Sequence, residues 1–140
     1  MSTTYNLNRF LEAQEHTYQA ALNEIRSGKK TSHWMWFIFP QVAGLGFSET
    51  SKFYAIKSKA EAAAYLKHEV LGKRLREISE ALLNVNGKSA NQIFGSPDDV
   101  KLKSSMTLFN EANDGDAVFQ KVLEKYFKGG ADQKTLKLLH

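Results

Sequence analysis

One ten-residue segment, Ser32–Gln41, restricts what this chain can fold into more than any other part of the sequence. It contains both tryptophans, two of the nine phenylalanines and one of the two prolines. A helix or a strand built from these residues is apolar on nearly every side and must be buried on nearly every side. The segment is therefore predicted to be a central core element. It should end near Phe39, because proline disfavours helical geometry in the residue before it.

Both ends of this aromatic segment are polar. Lysines just before a helix N-terminus add positive charge to backbone amides that already favour anions, so a phosphate or a carboxylate could bind there. Ser32 is predicted to cap that helix. The candidate ligand-binding residues at the two ends are Lys30, Ser32, His33 and Gln41, with Trp36 as the aromatic residue that faces them. The alternative is that these polar groups only satisfy buried hydrogen-bond donors.

Helical spacing of apolar residues dominates the rest of the chain, beginning with a stripe from Leu7 to Ser27. Outside the aromatic segment, only residues 52–56 suggest the alternation of a strand. The sequence therefore predicts a mainly α protein, built as a single compact domain of residues 1–140. About five to seven helices are expected, in an orthogonal or irregular bundle with an ordered core over about residues 7–128.

Capping signals mark several helix starts. Ser58 and Ser89 are each followed, three residues later, by a glutamate or a glutamine, which is the pattern of a capping box. The segment 96–99, Ser-Pro-Asp-Asp, is typical of a helix start because proline suits the first helical position and aspartates favour the positive end of the dipole. Gly72 is predicted to mark a bend, and Asp132 is predicted to cap a last short helix.

Composition excludes several classes of site. The chain of 140 residues has no cysteine, which rules out disulfides, thiolate metal sites and cysteine nucleophiles. Its start does not resemble a secretory signal, and no apolar stretch approaches the 18 residues of a membrane span. A cytoplasmic protein without membrane contact is therefore expected.

Charge and histidine spacing argue against two further kinds of site. The net charge of +4 comes from lysines dispersed along the chain, whereas nucleic-acid-binding proteins usually gather such charge into one patch. None of the four histidines has another three or four residues away, and H-E-x-x-H is missing, so no metal site is predicted. No cofactor is predicted either.

Two adjacent serines, Ser104 and Ser105, complete the set of candidate ligand-binding residues. They lie in a helical segment that follows Pro97, which is expected to pack near the aromatic segment. A serine nucleophile needs a base and a third group that orients it. Neither serine lies in a G-x-S-x-G turn, so no catalytic residue is assigned. Ser105 would gain importance if it faced His33.

Three segments together resemble the domain-of-unknown-function 1810 family, a group of mainly helical, largely bacterial proteins that sometimes carry the label calpastatin. These segments are Ser32–Gln41 with Gly44–Gly46, Tyr65–Leu75, and Ile93–Asp99 with Lys101–Phe109. The resemblance covers about residues 7–128 and implies a helical fold with no established activity. Eukaryotic calpastatin acts through largely disordered repeats, and this chain has no repeat. One departure is visible, since the usual His-Pro reads His68-Glu69 here.

The residues support three hypotheses for function. The first is a small-molecule-binding domain or an enzyme, with a pocket for an anionic or nucleotide-like ligand between the aromatic segment and the helix after Pro97. The second is a non-enzymatic protein-interaction module. The third, and weakest, is nucleic-acid binding through surface lysines. No reaction and no oligomeric state can be read from the residues.

Overall fold

The computed structural model of the chain describes residues 5–113 and 115–140. Within these ranges the chain forms helices and no strand, apart from one isolated parallel bridge between Val42 and Ile56. The described helices are α1 (Asn8–Gln14), α2 (Tyr18–Arg26), α3 (Met35–Ile38), α4 (Glu49–Tyr54), α5 (Lys59–Lys67), α6 (Leu71–Leu83), α7 (Ala90–Phe94), α8 (Asp98–Ala112), α9 (Val118–Phe127) and α10 (Gln133–Leu139).

The mainly α fold is confirmed, but the predicted number of five to seven helices is too low. The part of the chain that the structure describes contains ten. The stripe from Leu7 to Ser27 is two helices, α1 and α2, separated by a turn at residues 15–17. Residues 52–56, considered as a strand, lie mostly in α4. The buried residues of both helices follow one helical spacing along the sequence. The apolar pattern alone therefore does not show where one helix ends and the next begins.

The aromatic segment lies partly in the hydrophobic core, with Trp36 only half-buried, and α3 is its single helical turn. Trp34 and Phe39 are fully buried, and each meets the ring of Phe94 edge to face. The turn ends before Pro40, as the sequence predicts. Helix α8 contributes one face to the same core and packs against α5, α7, α9 and α10. The aromatic segment and α8 thereby approach each other.

Three predicted caps accept a backbone N–H, at Ser58, Ser89 and Asp132, and those at Ser89 and Asp132 match the prediction in full. The Ser89 hydroxyl accepts from the N–H of Gln92 at 3.1 Å, and the Gln92 side chain accepts from the N–H of Ser89 at 2.8 Å. These reciprocal bonds form the predicted capping box. Asp132 caps α10 by accepting from the N–H of Thr135 at 3.1 Å.

The capping box predicted at Ser58 is only half formed. Ser58 accepts from the N–H of Glu61 at 3.0 Å. The Glu61 carboxylate instead accepts from the N–H of Lys57 at 2.7 Å and from the guanidinium of Arg9 at 3.1 Å. Glu61 is buried, and a buried carboxylate needs a cationic partner, which Arg9 provides.

Gly72 occupies a point of close backbone contact between α5 and α6. The bend predicted there lies earlier, between the end of α5 at Lys67 and the start of α6 at Leu71, and Gly72 is inside α6. A Cβ atom at Gly72 would lie 2.1 Å from the carbonyl oxygen of Leu66. Glycine is therefore required at this position by the approach of a neighbouring carbonyl.

We expect Gly72→Ala to destabilise the protein by about 1–3 kcal/mol, because the added methyl group forces the two helices apart. In an uncrowded helix the same change stabilises by up to about 1 kcal/mol. Urea unfolding followed by circular dichroism measures the difference. Lys73→Ala, at the exposed next position of α6, is the control and should change stability little. A Gly72→Ala variant as stable as the wild type would contradict the proposed contact.

Candidate functional site

The polar corner that precedes the aromatic segment holds an anion, and that anion is the side chain of Glu24. Oε1 of Glu24 accepts from the N–H groups of Thr31 at 2.7 Å and Ser32 at 3.0 Å, and from the indole N–H of Trp34 at 2.9 Å. Oε2 accepts from the Ser32 hydroxyl at 2.8 Å. Ser32 therefore bonds to Glu24 and does not cap α3, which begins at Met35 with no side-chain cap.

This network fixes the charge of Glu24. Burial opposes the charged form, but the hydrogen bonds from Thr31, Trp34 and Ser32 outweigh it and lower the pKa of Glu24 to about 2. The carboxylate is ionised at neutral pH and uses the donors that a phosphate ligand would need. The corner is thus an internal anion site already filled by the chain.

Lys30 is also used internally. Its side chain is only 8% exposed, and its ammonium group lies 2.8 Å from the Asp98 carboxylate. It also donates to the carbonyl of Ser32 at 2.6 Å and lies 5.0 Å from the ring centroid of Trp34. Lys30 therefore connects the start of the aromatic segment to the first turn of α8.

A cleft of about 390 Å³ opens on the far side of α3. Its floor includes the half-buried ring of Trp36, and one wall is the loop that begins at Gln41. The base of that loop is held by two bonds, from the N–H of Ile56 to the carbonyl of Gln41 at 2.9 Å and from the N–H of Ala43 to the carbonyl of Ile56 at 2.8 Å. The lining residues from the loop and α4 are Gln41, Leu45, Gly46, Phe47, Ser48 and Ser51.

The opposite wall is one face of α8. Pro97, Val100, Lys101 and Ser104 line the cleft, and their spacing of three and four residues places them on one side of a helix. Ser104 donates to the carbonyl of Val100 at 3.2 Å. Ser105, one position later, points away from that face and is fully buried, with no hydrogen-bond partner for its hydroxyl among the described residues.

The cleft carries positive charge beside an aromatic surface. The ammonium of Lys101 lies 4.8 Å from the ring centroid of Trp36 and 3.4 Å from Asp98. Lys134, from the first turn of α10, is exposed and lines the same cleft, as does Asp132. The arrangement can hold a flat ring on Trp36 with an anionic group near the two lysines.

Two further depressions meet the cleft at Trp36. The smaller, of about 130 Å³, lies between the loop after Gln41 and α4. The other is an open groove lined by His33, Phe37 and Phe53. His33 is exposed and lies in this groove, not in the cleft. Trp36 is thus shared by all three surfaces.

The structure therefore separates the residues that the sequence singled out. Trp36, Gln41 and Ser104 line one cleft, and His33 lies in the groove beside it. Lys30 pairs with Asp98, Ser32 binds Glu24, and Ser105 is buried in the core.

Three charged residues of the cleft were missed. Lys101 could have been found, because a residue three positions before Ser104 shares its helical face. Asp132 and Lys134 gave no such signal, because α10 reaches the cleft only by packing on α8, a contact between distant parts of the sequence.

No group of three or more histidine, aspartate and glutamate side chains within residues 5–113 and 115–140 is placed to hold a metal ion. Over the same ranges, every helix is too short or too polar to traverse a lipid bilayer.

We expect Glu24→Gln to destabilise the protein by about 1–3 kcal/mol at pH 7, because a glutamine offers one acceptor oxygen to four donors. The lowered pKa means that the stabilisation is full above about pH 4.5 and is lost as the pH falls toward 2. The difference in the free energy of unfolding between wild type and variant, measured by urea unfolding, should therefore become smaller as the pH falls from 4.5 to 2. Glu15→Gln, at an exposed position, is the control. A gap independent of pH would contradict this role.

Comparison with known proteins gives a family but no activity. The model of a protein family of unknown function, DUF1810, matches residues 4–139. The chain is also similar to the crystal structure of the conserved hypothetical protein Rv1873 from Mycobacterium tuberculosis, with 48% sequence identity, 96% of each chain covered and a TM-score of 0.95. No curated protein matches the chain. The chain belongs to the DUF1810 family.

Proposed function

We propose that this protein binds a small anionic molecule with a flat ring in the cleft at Trp36. The observation that carries the proposal is the meeting of an accessible indole ring with two ammonium groups, those of Lys101 and Lys134, in one concave surface. Small-molecule sites are typically concave and largely apolar, with a few polar groups that fix the ligand. Gln41 adds an amide that can both donate and accept.

The charges around Lys101 favour its use by a ligand. Asp98 lies 3.4 Å from Lys101 but 2.8 Å from Lys30, which is more deeply buried. When Lys101 turns toward a ligand, Asp98 therefore keeps its closer partner. The movement leaves no half-buried carboxylate without a cation, which would otherwise be costly.

The proposal is for binding and assigns no reaction. Ser104 is the lining serine on α8, and its one hydroxyl hydrogen is shared between the Val100 carbonyl and Asp132, each at 3.2 Å. No histidine is among the described residues that line the cleft. A serine nucleophile needs a base in hydrogen-bond reach, so this geometry supports recognition better than hydrolysis.

A thermal-shift and fluorescence screen tests the proposal with phenyl phosphate, glucose 6-phosphate and nucleoside monophosphates. A ring-bearing anion should raise the melting temperature and quench the fluorescence of Trp36, and Trp36→Phe should remove that quenching. Lys101→Gln and Lys134→Gln should each weaken binding by about tenfold, since each removes one charged contact.

Lys121→Gln provides the matched control, because Lys121 is exposed on α9 and is not among the lining residues. It removes the same charge and should leave affinity unchanged. Equal weakening by all three substitutions would mean that only overall charge matters, and no response to any ring-bearing anion would reject the proposal.

A second candidate function is protein interaction, and two exposed aromatic side chains favour it. Phe47 is 85% exposed and Phe53 is 56% exposed, at either end of a segment that borders the cleft and the groove. Clustered exposed apolar side chains often mark interaction surfaces. A stable dimer in light scattering that Phe47→Ser and Phe53→Ser abolish would favour this function, whereas a monomer at high concentration would argue against self-association.

Nucleic-acid binding through surface lysines stays a prediction. Several of the described lysines make internal contacts. For example, Lys30 pairs with Asp98, Lys88 donates to the carbonyl of Gly28, and Lys125 donates to the carbonyl of Leu83. A random oligonucleotide at low salt belongs in the same screen, because binding through phosphates falls steeply with added salt.

A further inference from the structure

We infer that the ligand of this cleft is a ribonucleoside monophosphate whose ribose hydroxyl groups donate to Asp132. The inference rests on the proposed function, because it names the ligand class of the same cleft. It starts from a carboxylate that hydrogen bonds orient in the cleft wall.

Asp132 is held by four hydrogen bonds. Its Oδ2 atom accepts from the N–H of Thr135 at 3.1 Å, from the Thr135 hydroxyl at 2.6 Å and from the Ser104 hydroxyl at 3.2 Å. Its own N–H donates to the Thr107 hydroxyl at 2.9 Å. Thr135 and Thr107 are buried, so the position of this carboxylate is set by both α8 and α10.

The other carboxylate oxygen of Asp132 is the one available to a ligand. Oδ1 takes no part in the side-chain hydrogen bonds made by Asp132 within residues 5–113 and 115–140, and Asp132 lines the cleft. An ionised carboxylate can only accept hydrogen bonds. It repels a bare anion and favours a ligand that presents a donor at this point. A pre-oriented acceptor also costs no reorganisation on binding.

The neighbouring groups determine what else that ligand carries. Lys134 lines the same cleft as Asp132, so the cleft offers a cation as well as this acceptor. Across the cleft, Trp36 offers a ring face with Lys101 beside it. A matching ligand has a flat ring, a hydroxyl donor and an anionic group. Phenyl phosphate lacks the hydroxyl and glucose 6-phosphate lacks the flat ring, whereas a ribonucleoside monophosphate has all three.

Calorimetric titration with adenosine 5′-monophosphate and with its 2′-deoxy and 3′-deoxy analogues tests the inference. We expect at least one deoxy analogue to bind about 10- to 100-fold more weakly, which corresponds to the loss of one hydrogen bond to a charged acceptor. In Asp132→Asn, the N–H of Thr135 should keep the amide oxygen at the cap and turn the NH₂ group into the cleft. This variant should discriminate less between ribose and deoxyribose, because a neutral amide that donates to the ribose hydroxyl replaces a charged acceptor.

Asp99→Asn is the control, because Asp99 lies on α8 outside the set of cleft-lining residues and also removes one negative charge. It should keep the discrimination. If Asp132→Asn does not fold, the wild-type comparison of ribose with deoxyribose decides alone.

The outcomes separate this inference from the proposed function. Equal affinity for the ribose and both deoxyribose forms overturns the inference and leaves anion binding in place. Phenyl phosphate binding as tightly as adenosine 5′-monophosphate does the same. Failure of every ring-bearing anion to bind overturns both.

Discussion

The carboxylate of Glu24 is the interaction on which the rest of the site depends. By accepting the N–H groups of residues 31 and 32 and the indole N–H of Trp34, it fixes the backbone that enters the aromatic segment. A buried indole needs a hydrogen-bond partner, and this one lies on another helix, α2. With Trp34 held inward just before α3, Trp36 lies within the single turn of α3 and lines the cleft.

A second contact, an ion pair, connects the start of the aromatic segment to α8. Lys30, which follows α2, pairs with Asp98 in the first turn of α8, and it also contacts the ring of Trp34. This contact therefore positions the first turn of α8 relative to the aromatic segment. The cleft between them is lined by residues from four parts of the chain, and their relative placement depends on buried polar contacts as much as on apolar packing.

The sequence was sufficient for the helical class, the buried aromatic segment and the caps at Ser89 and Asp132, because each follows from local pattern. It also singled out Trp36, Gln41 and Ser104, which share a cleft. It was insufficient where a polar side chain has two possible partners. Ser32 is a residue type that commonly caps helices, but it bonds to Glu24. Glu61 stands at the capping-box position after Ser58, but it pairs with Arg9. The partner that such a side chain bonds depends on which distant part of the chain packs beside it, and local sequence does not show this.

The wall of the cleft that α10 forms is less stable than the wall that α8 forms. Helix α10 has only seven residues, most of them exposed, and a helix of that length is marginal in water without tertiary support. Its support includes the Asp132 cap and the buried side chain of Thr135. Short, mostly exposed helices of this kind open locally at a lower free energy than the core requires. The wall with Asp132 and Lys134 should therefore unfold before the wall formed by α8. On warming, the cleft should be lost while the rest of the fold persists.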